Sequence, residues 1–280
     1  MKTIITVFAL FTLATITAQE FSGKAVYKTS RKSNIKIGRE NATMSEQQTK
    51  EIEARLQKMN QRTFILQFDK ISSVYEEEVS LNAPKPNAKG MQVMSFFSGE
   101  GKGTIYYKNL KEKRFANKTE IMGKPFLIKD SLTIYDWQLS SETKNIGTYT
   151  CYKASFSKEV ENTTSTFVNG ELKEVNKKET IVTTAWYTMQ IPISNGPSTF
   201  YGLPGLILEI NDGTTTIVCT EIIMNPSEKI TIQEPDKGKI VNQVVFNQIR
   251  EEKTKEMMKR FSGREGIDLG NGINIKMSGN

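Results

Sequence analysis

Few side chains in this sequence could perform catalysis, and their types limit the chemistry. Histidine is absent from all 280 residues. The Ser-His-Asp and Cys-His arrangements, the HExxH metalloprotease pattern and nearly all catalytic zinc sites need an imidazole, so these are excluded. Paired carboxylates can hydrolyse a glycosidic bond without histidine. Asp136 and Glu209 are the candidates for such a pair, and a hydrolase that uses them is the alternative function.

The two cysteines are the other chemically distinctive residues. Cys151 in GTYTCYKASF and Cys219 in TIVCTEII both fall within strand-like runs. In an oxidising compartment they are a candidate disulfide pair, whereas two separate buried thiols are the equally simple reading. We expect no metal site from two cysteines without histidine, and we expect no cofactor.

The elements that must position these residues are mainly strands. Short runs rich in Thr, Val, Ile, Tyr and Phe are separated by turn residues, which is typical of an antiparallel sheet. We therefore predict an all-β fold with two accessory helices, built on one large curved antiparallel sheet that is either a half-barrel or a sandwich. The predicted strands lie at 23–30, 62–69, 72–79, 103–110, 124–130, 132–139, 148–156, 180–188, 206–210, 214–222 and 229–234.

Turn and helix signals organise these strands. Asn169-Gly170 and Asp212-Gly213 predict tight type I′ hairpins, the second of which joins residues 206–223 into one unit. A capping box at Ser45 predicts a helix over 45–60, and a thin apolar stripe in FNQIREEKTKEMMKRF predicts a surface helix over 247–262. An apolar island, MQVMSFF, lies within a Gly/Pro-rich stretch at 81–103 and is a further candidate contact.

The N-terminus indicates where the chain functions. Residues 1–18 carry an early Lys, an apolar core and small residues near the end, which predicts a cleaved signal peptide. No Cys follows for lipid attachment, so we expect a periplasmic or secreted protein. The domain organisation that we predict is a signal peptide at 1–18, a single β domain at 19–262 and a Gly-rich tail at 263–280. The net charge of +7 comes from lysines mixed with glutamates, so nucleic-acid binding is not expected.

The segment FYGLPGLILEI sets two glycines and a proline against an apolar run. Leu203-Pro204-Gly205-Leu206 predicts a type II turn, with Gly205 at positive φ. In the following strand, Leu206, Leu208 and Ile210 alternate with Ile207 and Glu209, so we expect Glu209 on the less buried face, paired with a Lys. The rival reading makes this corner the mouth of a ligand site. The binding candidates at this corner are Phe200, Tyr201, Gly202, Pro204 and Gly205. Trp137, Trp186 and Tyr187 are further candidates, which either line a cavity on a concave sheet face or fill the core.

GLPGLI, residues 202–207, resembles letter for letter the hexapeptide that names the GLPGLI family of exported Bacteroidota proteins. Tyr135-Asp136-Trp137, the IGTYTCYKA run and Ala185-Trp186-Tyr187-Thr188 are also similar to that family's pattern. The family is largely uncharacterised, and its members are often encoded beside TonB-dependent receptors. The resemblance therefore implies a cell-envelope role. We expect a non-enzymatic binding or accessory protein for an apolar ligand, a peptide or an outer-membrane transport partner, without a membrane span.

Overall fold

The computed structural model describes residues 21–31, 61–78, 103–168, 171–262, 267–268 and 274–275. Most of these residues form strands of one open, largely antiparallel sheet, and the all-β prediction is confirmed. The strands are β1 Ser22–Arg31, β2 Gln61–Asp69, β3 Ser72–Glu77, β4 Ile105–Asn109, β5 Arg114–Ile121, β6 Lys124–Ser131, β7 Gln138–Ile146, β8 Tyr149–Val168, β9 Glu171–Thr188, β10 Leu206–Asn211, β11 Thr215–Met224 and β12 Lys239–Val241. The strands β13 Ile267–Asp268 and β14 Asn274–Ile275 form a separate two-stranded sheet, and α1 spans Gln243–Ser262.

The sheet is a single curled layer and not a sandwich. Its strand order is β12-β6-β5-β4-β3-β2-β1-β11-β10-β9-β8-β7. Ten strand spacings separate β6 from β7, about 48 Å along a flat sheet. The chain joins the two strands with residues 132–137 alone, which reach about 24 Å when fully extended. The sheet must therefore bend until its two ends approach each other.

One apolar core fills the concave face. It takes alternate residues from nearly every strand, and adds buried residues from the segment between β9 and β10 and from α1. Asn242 caps α1 by accepting a 2.8 Å hydrogen bond from the Val245 N–H, and Phe246 packs edge-on against Phe126 with 5.6 Å between ring centroids. The predicted helix at 247–262 is thus confirmed and starts four residues earlier than predicted. Ile249 of the predicted stripe packs against the core.

Two predicted strands are wrong for physical reasons. Residues 229–234 form no strand, because this segment crosses the convex face, where Ile232 packs on Leu127 and its neighbours. Glu234 at its end binds Arg114 at 2.8 Å and Lys129 at 2.9 Å. Residues 132–137 are also not a strand, because they are the short bridge between the two ends of the sheet.

Both predicted hairpins form, but the turn at Asp212 differs from the prediction. Only Gly213 has positive φ (86°), whereas a type I′ turn needs two such residues. The Asp212 carboxylate instead accepts hydrogen bonds from the N–H groups of Thr214 and Thr215 at 2.9 and 2.6 Å. β8 and β9 pair up to Val168 and Glu171. The predicted Asn169-Gly170 turn, the helix at 45–60, the signal peptide and the MQVMSFF island lie outside the described residues.

Candidate functional site

The candidate site is built on the segment between β9 and β10, residues 189–205, which we call the infolded segment. It turns back over the concave face and buries Ile191 and Ile193. Its backbone also starts the next strand, because Leu206 N–H donates to Ile191 O at 3.0 Å and Ile207 N–H donates to Asn195 O at 3.0 Å. The strand β10, which begins with the last two residues of the hexapeptide, is therefore fixed in place by the segment that precedes it.

The two glycines of the hexapeptide have different roles: Gly205 allows two backbone segments to pack closely, and Gly202 adopts a positive φ. Gly205 is not among the residues with positive φ, so the predicted type II turn is wrong. A Cβ at Gly205 would lie 2.0 Å from Thr188 O, which leaves room only for glycine. Gly202 is the residue that needs conformational freedom, with φ at 97°. The corner thus lets the infolded segment lie directly on the end of β9.

Lys108 of β4 anchors this segment from the opposite side of the concavity. Its side chain is fully buried, and Nζ donates to three backbone carbonyl oxygens: Gly196 O at 2.6 Å, Ser198 O at 3.0 Å and Phe200 O at 3.0 Å. Burial lowers the pKa of Lys108 well below that of a free lysine. Three acceptors match the three N–H bonds of an ammonium group, so the hydrogen bonds favour the charged form and oppose the effect of burial.

A second buried polar residue completes the anchor. Asn195 is fully buried, and its Oδ1 accepts hydrogen bonds from Gly196 N–H at 2.8 Å and from Ser73 Oγ at 3.4 Å. Ser73 is also the cross-strand partner of Lys108. The polar groups of β3 and β4 therefore bind one turn of the infolded segment from below.

Five partly exposed aromatic residues lie above this anchor, and we call them the aromatic platform. They come from the bridge before β7, from β8 and from the infolded segment: Tyr135, Trp137, Phe156, Phe200 and Tyr201. Tyr135 contacts the other four, with ring centroids 4.9 to 6.0 Å apart. Trp137 stands edge-on to Phe156 at 4.8 Å. The contacts join elements that are far apart in the sequence into one surface.

Hydrogen bonds fix the platform to the infolded segment. Trp137 Nε1 donates to Tyr201 O at 2.9 Å, and the Tyr135 hydroxyl donates to Thr199 Oγ1 at 2.9 Å. Burial raises the pKa of Tyr135, although its hydrogen bond to Thr199 opposes this, and burial also raises the pKa of Tyr201. Both phenols stay protonated near neutral pH and can donate hydrogen bonds, but they cannot act as bases.

The structure brings together only part of the predicted binding set. Trp137, Phe200, Tyr201 and Gly202 meet at the platform, where a Cβ on Gly202 would lie 3.5 Å from Trp137 Nε1. Pro204 is exposed beside it, and Gly205 is buried against Thr188.

Trp186 and Tyr187 do not form a wall together, because successive residues of a strand point to opposite faces. Tyr187 is in the core near Tyr152, with 6.1 Å between ring centroids, whereas Trp186 lies beneath Lys144, whose Nζ is 4.4 Å from its ring centroid.

Sequence reasoning missed the anchor and two rings of the platform. A signal for Lys108 exists, since it follows Tyr106 at the strand period in IYYKN and therefore falls on the core face. Tyr135 and Trp137 are also two residues apart, which puts them on one side of an extended segment. Phe156 could be placed only by its register opposite Thr183.

Of the carboxylates and cysteines singled out from the sequence, Asp136 alone is exposed. Glu209 accepts a 2.7 Å hydrogen bond from Lys144 Nζ, which confirms its predicted pairing with a lysine, while Asp136 is exposed. Cys151 and Cys219 are buried free thiols. Burial raises their pKa values to about 11 and about 12, so both stay protonated at neutral pH.

Other features of the described ranges do not supply a competing site. A cleft of about 150 Å³ between α1 and the β5–β6 turn is lined by Ile121, Phe126 and Ile249 and is smaller than ordinary ligand pockets. No group of three or more His, Cys, Asp or Glu side chains is arranged to hold a metal there. No helix within the described part of the chain combines the length and apolarity needed to span a membrane.

Fold and site together define an all-β protein whose open, curled sheet encloses an anchored segment and an aromatic platform. A family model described as "Protein of unknown function (Porph_ging)" matches residues 137–209. The match begins at Trp137 and ends at Glu209, so it contains β7 to β9, the infolded segment and four of the five platform residues. The chain is therefore similar to a family whose function is not known.

Two solved structures resemble the chain distantly. Two solved structures of PNGF-II, in space groups C2 and P21, each share 13% identity with this chain over 83% of its length, with a TM-score of 0.47. The chain spans about a third of the length of these structures, 33% and 34% respectively. No curated protein matches the chain. The likeness to PNGF-II is too distant to carry an argument about function.

Proposed function

We propose that this chain is an exported binding or accessory protein of the cell envelope, of the GLPGLI type, which holds a polypeptide partner on the aromatic platform. The observation that carries the proposal is a surface of five partly exposed aromatic rings in mutual contact. Aromatic rings with a polar edge are enriched at protein interfaces, because they bury a large area and still satisfy hydrogen bonds. The resemblance to GLPGLI proteins points to an outer-membrane transport receptor as the class of partner.

Pre-organisation supports binding at this surface. The platform is fixed by hydrogen bonds from Trp137 and Tyr135 and by the three bonds of Lys108 to the segment below. Few side chains would have to be ordered on association, so less of the interaction energy is lost to entropy. The concave face beneath is occupied by the core and the infolded segment, which favours a partner held on the exposed side of the platform over an apolar molecule enclosed within the sheet.

The chemistry of the platform supports binding over catalysis. Its titratable groups are phenols whose pKa values burial has raised. The nearby ammonium group of Lys108 already donates its hydrogen bonds to three backbone carbonyl groups. No observation favours the hydrolase alternative, since Glu209 is bound to Lys144 and Asp136 is exposed on a different element.

The chain offers a matched pair of tryptophans for the test. Tagged wild-type protein is purified from the envelope of its native host, and co-purifying proteins are identified by mass spectrometry. We expect the Trp137→Ala variant to lose its co-purifying partner. Trp186 lies beneath Lys144, away from the platform, so we expect the Trp186→Ala variant to keep the partner. Circular dichroism establishes that both variants are folded.

Two outcomes would contradict the proposal. Equal capture by wild type and by folded Trp137→Ala would show that the platform is not the binding surface. A wild-type sample that captures nothing above an unrelated tagged control would show that the protein does not hold a partner.

A further inference from the structure

β8 loses one of its two neighbouring strands beside the aromatic platform. β7 pairs with β8 no further than the pair Gln138–Ser155, where the bridge joins β7. Beyond Ser155, β8 pairs only with β9 in the described part of the chain. We call the side of β8 that faces away from β9 at residues 157–161 the free edge, since none of the described strands lies beside it.

The odd-numbered residues of β8 point their backbone groups away from β9. Backbone direction alternates along a strand, and the two residues that flank a two-residue hairpin loop exchange hydrogen bonds. Ile146 and Tyr149 flank such a loop, so Tyr149 and every second residue after it face β7. The even-numbered Thr150 agrees, because its N–H donates to Gln190 Oε1, just beyond the end of β9, at 2.8 Å.

This alternation continues along the free edge. The register of β8 with β9 runs without a shift from Tyr152 to Val168. Ser157, Glu159 and Glu161 therefore direct their N–H and C=O groups out of the free edge, and their side chains are exposed. An edge with outward donors and acceptors is a template on which an extended peptide can add a strand.

Other edges of the described sheet are less suited to an added strand. β12 has only three residues, and the edge of β7 is interrupted by a register shift between Leu139 and Thr143, which is a usual protection against added strands. The outer edge of β9 adjoins β10, which pairs with it up to Thr184. The free edge of β8 is the one that continues directly from Phe156 of the platform.

The free edge and the platform share one face of the sheet. The ring of Phe156 contacts those of Tyr135 and Trp137, with centroids 4.9 and 4.8 Å apart. Lys158 and Val160 follow Phe156 at the strand period, so the three side chains lie on the same face. In an added strand, the residue opposite Lys158 is diagonal to Phe156, which is within reach of an aromatic side chain.

We propose that the polypeptide partner binds as an added antiparallel strand on the free edge. Its sequence there, from the N- to the C-terminus, is an apolar residue opposite Val160, a basic residue opposite Glu159 and an aromatic residue opposite Lys158. The inference rests on the function proposed above, because it states how the partner is bound beside the aromatic platform.

Charge selects the basic residue. Glu161 lies directly opposite Lys178 of β9, whereas Glu159 lies opposite the uncharged Thr180. Opposite charges directly across an antiparallel pair stabilise it, and like charges destabilise it. A basic residue in the added strand therefore gives Glu159 the opposite charge that β9 does not provide.

The apolar and aromatic residues follow from the other face. Val160 is half-buried, so an apolar residue opposite it adds to the contact area. Lys158 is exposed and lies opposite Ile181 of β9. An aromatic ring opposite Lys158 packs on its apolar stem and ammonium group and reaches Phe156 on the diagonal.

The first test uses the intact wild-type chain and a blocked synthetic heptapeptide, Ser-Thr-Thr-Val-Lys-Tyr-Thr. Calorimetric titration measures its dissociation constant. Methylation of the backbone nitrogen of the peptide's Lys removes a donor that points at Glu159, so we expect at least about tenfold weaker binding. Methylation at the neighbouring Tyr is the control, because that nitrogen points away from β8, and we expect binding to be kept.

The second test places proline on either edge of the hairpin. Glu159→Pro removes an outward N–H and sets a ring in the path of the added strand, so we expect it to weaken binding at least about tenfold. Thr180→Pro is the matched control, because Thr180 lies directly opposite Glu159 and points its backbone groups out of the other edge. Circular dichroism establishes that both variants are folded, and the methylated peptides test the proposal without any change to the protein.

The third test reverses the charge pair. Glu159→Lys is expected to bind the heptapeptide less tightly than wild type does, and to prefer a peptide in which Glu replaces the Lys. Wild type is expected to prefer the peptide with Lys. An unchanged preference in the variant would overturn the assignment of the basic residue.

Three other results would overturn strand addition. They are no binding of the heptapeptide to wild type at millimolar concentration, equal binding of the two methylated peptides, or a folded Glu159→Pro variant that binds as wild type does. Capture from the envelope separates this inference from the function on which it rests. A partner that Trp137→Ala loses and Glu159→Pro keeps would refute strand addition alone, whereas a partner that Trp137→Ala keeps would refute the proposed function.

Discussion

Replacing Lys108 by methionine tests how the infolded segment is held. Methionine keeps most of the length and apolar stem of lysine but removes all three hydrogen bonds to the carbonyl oxygens of Gly196, Ser198 and Phe200. Two opposing effects follow. The fold no longer has to desolvate an ammonium group, which stabilises the variant, and three acceptors lose their donor, which destabilises it.

The structure indicates which effect is larger. A hydrogen bond to a charged group contributes about 1.5–3 kcal/mol, so the three together contribute about 5–9 kcal/mol before the desolvation cost. Desolvation of an ammonium group costs several kcal/mol, which removes much of this sum. Gly196 is itself buried, so its carbonyl has no access to water once the lysine is gone. We expect a net loss in the free energy of unfolding of about 2–4 kcal/mol for Lys108→Met.

Urea unfolding at pH 7, followed by circular dichroism, measures this loss. Lys111→Met is the control, because Lys111 is exposed in the turn after β4 and should cost less than about 0.5 kcal/mol. Loosening of the platform should also change the near-ultraviolet circular dichroism of Trp137. A Lys108→Met variant as stable as wild type, or more stable, would refute the reasoning, because desolvation would then outweigh the three hydrogen bonds.

The pH dependence of the same pair of proteins follows from the direction of the pKa shift. Burial lowers the pKa of Lys108 in the folded chain below the value of about 10.4 for an unfolded lysine. Between these two values the unfolded chain binds more protons, so the free energy of unfolding rises with pH. The advantage of wild type over Lys108→Met is therefore expected to grow as pH rises through this window, and an advantage that shrinks would contradict the assignment.

Two further predictions concern the tight corner and the thiols. Gly205→Ala is expected to cost at least about 3 kcal/mol or to prevent folding, because its Cβ would meet Thr188 O. Gly147→Ala has open space around it and should cost about 1–2 kcal/mol, because the residue has positive φ. Equal losses on urea unfolding would contradict this prediction. Cys151 and Cys219 are expected to resist iodoacetamide at pH 8 in the folded chain and to react once urea unfolds it, since burial encloses both and raises their pKa values; rapid labelling of the folded chain would argue against that burial.

The strands and the hairpins could be predicted from the sequence because both depend on local patterns. The alternation of apolar and polar residues predicts the ends of β1, β2 and β10 to within a residue or two. Asp212-Gly213 predicts its hairpin correctly, even though the turn type is different. Residues 229–234 alternate like a strand but lie across the convex face, because tertiary packing of Ile232 overrides the local pattern.

The site could be predicted only in part, because its residues meet through the curvature of the sheet. The Gly/Pro corner predicts Phe200 and Tyr201 as binding residues, and Trp137 is predicted separately as an aromatic residue of a strand. Their contact depends on a bridge of six residues between the two ends of the sheet. Lys108 is 88 residues from its first acceptor, Gly196. No local pattern reports a pairing over that separation.

Hydrogen–deuterium exchange on the full chain, with and without the protein that co-purifies with it, tests the central claim most directly. The claim is that the infolded segment presents the aromatic platform to a polypeptide partner. We expect the partner to slow exchange in residues 135–137 and 198–202, while exchange in the distal part of the β8–β9 hairpin, residues 164–168 and 171–175, is unaffected. Slowed exchange elsewhere, with the platform unchanged, would contradict the account.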